Sequence, residues 1–237
     1  MVHSVAASVL TQAAAVNSAG NVLPAAEEVL VVCAHPDDES FGLGAVIGVL
    51  SEQAKRVRVL CFTHGEASTL GDTSRPLSEV RAEEFSAAAD ILGIEDAELL
   101  SYPDGHLAEE SVEELAHQVE EAVGNAELFL VFDEGGITGH PDHSRATQAA
   151  VLAAERCSLP VLAWALPEGV ATQLNSEYGA TFVGRPKSKI DIIIDGDRAR
   201  QKAAIECHAS QSSHNPVLWR RLELLGSQEH LRWLLKK

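Results

Sequence analysis

Four nearly continuous apolar runs, the first three each followed by a polar loop and then by helical spacing, restrict this chain to one kind of architecture. They are residues 28–34 (EVLVVCA), 56–63 (RVRVLCFT), 127–132 (ELFLVF) and 159–165 (LPVLAWA). A strand wetted on one side alternates apolar and polar residues. A strand covered on both sides does not. These runs therefore predict strands inside a mostly parallel sheet, with shorter ones at 97–101 and 190–194. Helical periodicity covers 41–53, 78–92, 111–123, 142–156 and 198–208. Ser78 reads as a cap, Ser111 and Glu114 have capping-box spacing, and Gly93 and Gly124 read as stops. The alternation predicts an α/β fold: a Rossmann-like, mostly parallel sheet flanked by helices.

A chain of 237 residues suits a single domain. Residues 1–26 are Ala-rich and lack the basic start of a secretory signal. They read as an irregular or helical extension, with the domain at 27–237. No run approaches the ~18 apolar residues that span a bilayer, so no membrane partner is expected. Lys and Arg number 18 against 35 Asp and Glu, a net charge of −17. That field repels nucleic acid phosphates and anionic lipid, which excludes nucleic acid as a partner class. Cys33, Cys61, Cys157 and Cys207 form no C-x-x-C pair. They read as buried, reduced thiols of a cytoplasmic protein. A homo-oligomer is compatible with all of this.

Ligands of such sheets bind beyond the carboxyl ends of the strands. Four polar clusters fall there: HPDDE after the first strand, THGE after the second, YPDG after the third and DEGGITGHPDH after the fourth. HPDDE at 35–39 and HPDH at 140–143 each place a proline after the first His and a possible ligand in fourth place. Positions one and four can then face one point, and two such corners on neighbouring strands supply the three ligands that a catalytic zinc takes. HPDDE alone is equally well a helix N-terminus whose acids complement the dipole. The second corner argues against that. Asp142 reads either as a carboxylate orienting a site His or as a helix cap. Gly42 and Gly44 fit close helix packing better than a phosphate loop.

The pairing of AHPDDE at 34–39 with GHPDH at 139–143 resembles the LmbE-like or PIG-L family of zinc deacetylases, over about residues 29–211. Residues 63–66 resemble its T-x-G-E element. Arg81, Glu84, Ala88 and Leu92-Gly93 resemble its R-x-x-E-x-x-x-A-x-x-x-L-G helix. Residues 102–105 resemble its Y-x-D-G turn, and His208, Ser210 and Gln211 its terminal H-x-S-Q.

The resemblance implies metal ligands His35, Asp38 and His143, with Asp37 as general base. It implies His140 at the oxyanion or leaving amine. The implied metal is zinc, with another divalent ion such as Fe2+ as the alternative. The implied substrate is a small amino sugar whose hydroxyls are gripped by Glu66, Arg81 and Asp104. The expected activity is hydrolysis of the N-acetyl amide of an N-acetylglucosamine-type derivative, with low-molecular-weight thiol metabolism as one setting. Zinc suits this, since it lowers the pKa of water from ~15.7 toward ~7. Some relatives carry a Tyr just before HPDH, where this chain has Thr138 two places before His140. His208 reads as a site residue or as a structural His. The competing reading is a sugar- or nucleotide-binding module with a vestigial metal site, which predicts loss of a ligand or the base. A zinc deaminase would need P-C-x-x-C, which is absent.

Overall fold

Every position of β1 (Glu28–Cys33) is buried, as a strand covered on both faces requires. The computed structural model describes residues 22–53, 55–71 and 74–237. The extension expected at 1–26 thus lies outside the described residues up to position 21. Beyond it, 22–26 is irregular, with Leu23 and Ala26 packed into the core.

After β1 come α1 (Asp38–Phe41), α2 (Gly44–Glu52), β2 (Arg56–Thr63), α3 (Leu77–Leu92), β3 (Asp96–Tyr102), α4 (Val112–Ala122) and β4 (Leu128–Phe132). Next are α5 (Gly136–Gly139), α6 (Pro141–Cys157), β5 (Val161–Trp164), β6 (Leu166–Pro167), α7 (Glu168–Tyr178) and β7 (Gly184–Arg185). The chain finishes with β8 (Ile192–Asp195), α8 (Ala199–Cys207), α9 (Ala209–Ser212), α10 (Pro216–Leu225) and β9 (Gln228–Leu235). Seven strands form one sheet in the order β3-β2-β1-β4-β5-β9-β8, and β6 pairs with β7 separately. The first five of that order are parallel, while β9 runs antiparallel to both neighbours.

The period of two in each strand sorts the core into two layers. Val29, Val31, Val57, Val59 and Leu130 pack with α2, α3, α7 and α8 on one face. Leu30, Val32, Leu60, Phe62 and Val131 pack with α4 and α6 on the other. Strand order reverses between β1 and β4, because β2 lies on one side of β1 and β4 on the other. Open α/β sheets bind ligands at such a switch point.

Several local expectations fail for identifiable reasons. The helix expected at 41–53 is two helices, α1 and α2, broken at Gly42. A Cβ on Gly42 would lie 2.3 Å from Phe132 Cε1, so the break sits where chain and ring touch. The proposed close packing accounts for both glycines, since a Cβ on Gly44 would meet Gln201 Cγ at 3.0 Å. No Ser cap opens α3, which starts at Leu77 after Pro76. Ser111 is the N-cap residue of α4 but makes no side-chain cap bond, so the capping box does not form. Cys33 and Cys61 are buried, whereas Cys157 and Cys207 are only half-buried. No helix among the described residues is long and apolar enough to cross a membrane.

Candidate metal centre

The two His-Pro corners leave the ends of β1 and β4, which pair directly, so the switch point brings them together. The corners are built differently. After His35 and Pro36 the chain turns sharply at Asp37, which sits at φ 112°. That conformation is strained for a residue with a Cβ. Glu39 compensates it by accepting the Asp37 N–H on Oε2 at 2.9 Å. The second corner is instead the first turn of α6, with His140 as N-cap and Pro141 at the first helical position. His140 Nδ1 accepts from the Asp142 N–H at 3.2 Å.

His35, Asp38 and His143 bring one ligand atom each to within 4.8 Å of one another. His35 Nδ1 lies 3.1 Å from His143 Nε2, and Asp38 Oδ1 lies 3.2 Å from the same nitrogen. Asp38 Oδ2 accepts the backbone N–H groups of Ala34 and His35 at 3.1 and 3.0 Å, which fixes the carboxylate. His143 Nδ1 donates to the Gly136 carbonyl at 3.0 Å, which leaves Nε2 as a lone pair. His35 Nε2 lies 3.0 Å from Asp104 Oδ1 and 3.3 Å from Asp142 Oδ2. It donates to these carboxylates and turns Nδ1 inward. The donor set is thus two imidazole nitrogens and one carboxylate oxygen, each oriented from behind, and it fits a divalent ion of the zinc type.

Charge follows the same geometry. Burial works against a charged His35, yet Asp104, Asp142 and Asp38 outweigh it and lift its pKa well above the usual imidazole value. Burial also works against ionised Asp38, but His143 and His35 hold its carboxyl well below the usual range. Burial pushes the Asp37 carboxyl up to about 6, Asp38 adds to the rise, and Arg81 opposes it. Burial depresses the His140 imidazole, helped by His143 and His35, which favours its neutral form. With Nδ1 accepting from Asp142, that neutral ring carries its proton on Nε2.

The other expected residues divide. Asp142 is not the cap of α6, since His140 is. Its fully buried carboxylate accepts from Gly105 N–H at 2.8 Å and Leu107 N–H at 3.1 Å while facing His35. Asp104 points at His35 and accepts from Ala67 N–H at 2.9 Å rather than facing open space. Arg81 is 3% exposed. It donates to Gly65 O at 2.6 Å, to Pro36 O, and to Asp37 Oδ2 at 2.8 Å. Gly65, at φ 64°, makes room for it, since a Cβ there would lie 1.9 Å from Arg81 Nη1. In this structure both Nη groups of Arg81 and both carboxylate oxygens of Asp104 are thus engaged by protein groups. Glu66 is exposed and accepts from Asp104 N–H at 3.0 Å.

Of the two readings of His208, the structure shows the structural one. Glu39 and His208 form a fully buried pair at 2.7 Å, so His208 supports the turn that presents Asp37. Ser210 donates to Glu84 from both N–H and Oγ, and Gln211 accepts from Ser68 Oγ at 2.7 Å. The signal for this was the H-x-S-Q motif, whose members tie α9 back to α1, α3 and the loop after β2. Phe132 packs edge-on to His143 at 5.1 Å between centroids.

A sequence profile described as PIG-L: GlcNAc-PI de-N-acetylase matches residues 30–155, more than half of the chain and both His-Pro corners. The chain belongs to the PIG-L family. A Schizosaccharomyces pombe protein named probable N-acetylglucosaminyl-phosphatidylinositol de-N-acetylase is 34% identical over 143 residues, 57% of this chain and 55% of that protein. A Kineococcus radiotolerans protein named 1D-myo-inositol 2-acetamido-2-deoxy-alpha-D-glucopyranoside deacetylase is 32% identical over 161 residues, 53% of this chain and 44% of its own. The chain thus spans about half the length of these two curated relatives. A Bacillus anthracis protein named probable N-acetyl-alpha-D-glucosaminyl L-malate deacetylase 2 is 28% identical over 212 residues, 87% of this chain and 91% of its own. Among solved structures, N,N'-diacetylchitobiose deacetylase from Pyrococcus horikoshii superposes with a TM-score of 0.64 at 22% identity, over 89% of this chain and 85% of that one. The 4-carboxy-2-hydroxymuconate hydratase GalB from a Pseudomonas superposes with a TM-score of 0.61 at 21% identity, over 89% and 97%. At these identities the structures share the PIG-L fold, and the fold alone does not select one reaction.

Proposed function

We propose that this chain is a zinc-dependent deacetylase that hydrolyses the N-acetyl amide of a small N-acetylglucosamine-type conjugate. The observation that carries the reading is the convergence of His35 Nδ1, Asp38 Oδ1 and His143 Nε2, each oriented by a hydrogen bond behind it. A divalent ion held there supplies Lewis acidity toward the amide carbonyl and toward water. The donor set of two imidazoles and one carboxylate favours zinc, with Fe2+ as the alternative.

Asp37 is the base in this reading. Arg81 holds its Oδ2, so Oδ1 is the oxygen that takes the proton from the attacking water. His140 presents an Nε2–H donor, which suits it to the developing oxyanion or the departing amine. When the C–N bond breaks, the amine gains the proton that Asp37 took from water, and the acyl group leaves as the carboxylic acid, whose remaining proton passes to the free amine or to solvent. Asp142 and Asp104 orient His35 from the far side of the ring. Glu66 remains the candidate for a sugar hydroxyl, being exposed beside Asp104. A small-molecule substrate and a cytoplasmic setting belong to the same proposal. Cys33 and Cys61, in register on β1 and β2 and both free, support reducing surroundings.

The test is an acetate-release assay over N-acetylglucosamine glycosides with zinc-loaded protein. Release that depends on added metal is expected. No release from any of them would favour the binding-module reading.

A further inference from the structure

Three arginines among the described residues are more than nine-tenths buried: Arg81, Arg198 and Arg221. A buried charge is normally paired, because desolvation is costly otherwise. Arg81 pairs with Asp37 at 2.8 Å and Arg198 with Glu229 at 2.5 Å. Arg221 forms no ion pair with any described residue. Its single hydrogen bond runs from Nη2 to the Phe41 carbonyl at 2.8 Å, and its buried Nε has no partner. The guanidinium carbon lies 5.4 Å from the centre of the Trp164 ring. Glu229 is not free to serve it, since Arg198 and Trp164 Nε1 occupy its two oxygens.

Arg221 lines a cavity of about 260 Å³ that opens onto Asp37, Asp38 and His143. The other walls are largely apolar, with Phe41, Phe132, Ile137 and Phe182. A water occupies roughly 30 Å³ in the liquid, so the space far exceeds what an acetyl methyl fills. Asp37 would repel an anion here, but Arg81 pairs with it, and Asp38 faces His143. A guanidinium with unused donors at the side of an apolar cleft matches the fork geometry of a carboxylate or phosphate.

We propose that this cavity is a subsite for an oxyanion on the substrate, held by Arg221, and that Arg221 selects acidic over neutral amino-sugar conjugates. Its link to catalysis rests on the deacetylase reading, but its binding test does not. The probes are unreactive free amines: the glycoside of glucosamine with glycolic acid, the same glycoside as its neutral methyl amide, and glucosamine 1-phosphate. Calorimetry on the zinc-loaded wild-type protein is expected to show at least about tenfold tighter binding of an acidic probe than of the neutral one. The carboxylate and phosphate arms identify which oxyanion fits. Arg221→Met is expected to erase the preference while leaving affinity for the neutral amide within about twofold, and Arg221→Lys to retain part of it. The acidic-to-neutral ratio within one variant is insensitive to a partial loss of folded protein. Equal binding of both probe types by wild type overturns the subsite, as does a preference that survives Arg221→Met. Equal loss of both probes in that variant assigns Arg221 to holding Phe41 and also overturns it. A clear anion preference without acetate release from the N-acetylated counterparts would sink the deacetylase reading and leave the subsite standing.

Discussion

His35 Nδ1 and His143 Nε2 face each other at 3.1 Å across 108 residues of sequence, each ring tethered through its other nitrogen. Two lone pairs that close repel unless a proton or a cation lies between them. Purified protein incubated with zinc is therefore expected to retain about one ion per chain after desalting. Asp38→Ala or His143→Ala is expected to lose it, as read by elemental analysis. Full retention in both variants would place the metal elsewhere.

Asp37→Ala is expected to keep the metal and lose turnover, by about 10²-fold or more, as loss of a general base does. The base must be ionised, so its active fraction rises with pH through its pKa. Burial places that carboxyl at about 6, and a cation beside Asp38 pulls it lower. The kcat/KM profile should therefore show an acid limb at or below about 6. Arg81 opposes the rise in Asp37, so Arg81→Met is expected to move that limb upward. A limb that stays in place or moves down would take Asp37 out of the role.

Asp142→Asn keeps the shape of the group but removes the charge behind His35. Metal affinity is expected to fall by about 10- to 100-fold, the usual consequence of losing a carboxylate behind a ligating His. Competition with a chelating dye measures this directly. Glu66→Ala, which loses a bond to the Asp104 backbone and none to a ligand, should raise KM more than it weakens metal affinity.

Gly42→Ala forces a methyl toward Phe132, whose ring packs on His143. A destabilisation of about 1–3 kcal/mol is expected in urea melts, together with weaker metal binding as Phe132 presses on the ligand. A neutral result in both measurements would mean that Phe132 has room to swing away.

The parallel half of the fold could be read from the sequence because its strands are buried on both faces and therefore spell out as unbroken apolar runs. The candidate metal site could be read because each His-Pro corner keeps its possible ligands within four residues. What escaped was non-local. β9 (QEHLRWLL) mixes polar and apolar residues, since it lies near the sheet edge, and its antiparallel pairing leaves no motif. Helix α10 carried its signals, Asn215 accepting from Leu218 N–H and Pro216 in the first turn, but its partner wall lay far away in sequence. The resemblance implies a sugar-gripping role for Arg81 and Asp104, and motif spacing does not say what their side chains touch. Only the tertiary arrangement reveals that their partners are Asp37 and His35.

The position of β9 between β5 and β8 orders events at the ribosome. β8 is synthesised first yet touches the sheet only through β9, and Arg221 lies on the helix just before that strand. The five parallel strands and both His-Pro corners can assemble while the chain is still emerging. The wall that carries Arg221 packs on Phe41 and Ile205, both earlier in the chain, so it does not wait for β9. A nascent chain stalled before residue 228 would hold both His-Pro corners on the sheet with β8 still lacking its pairing partner.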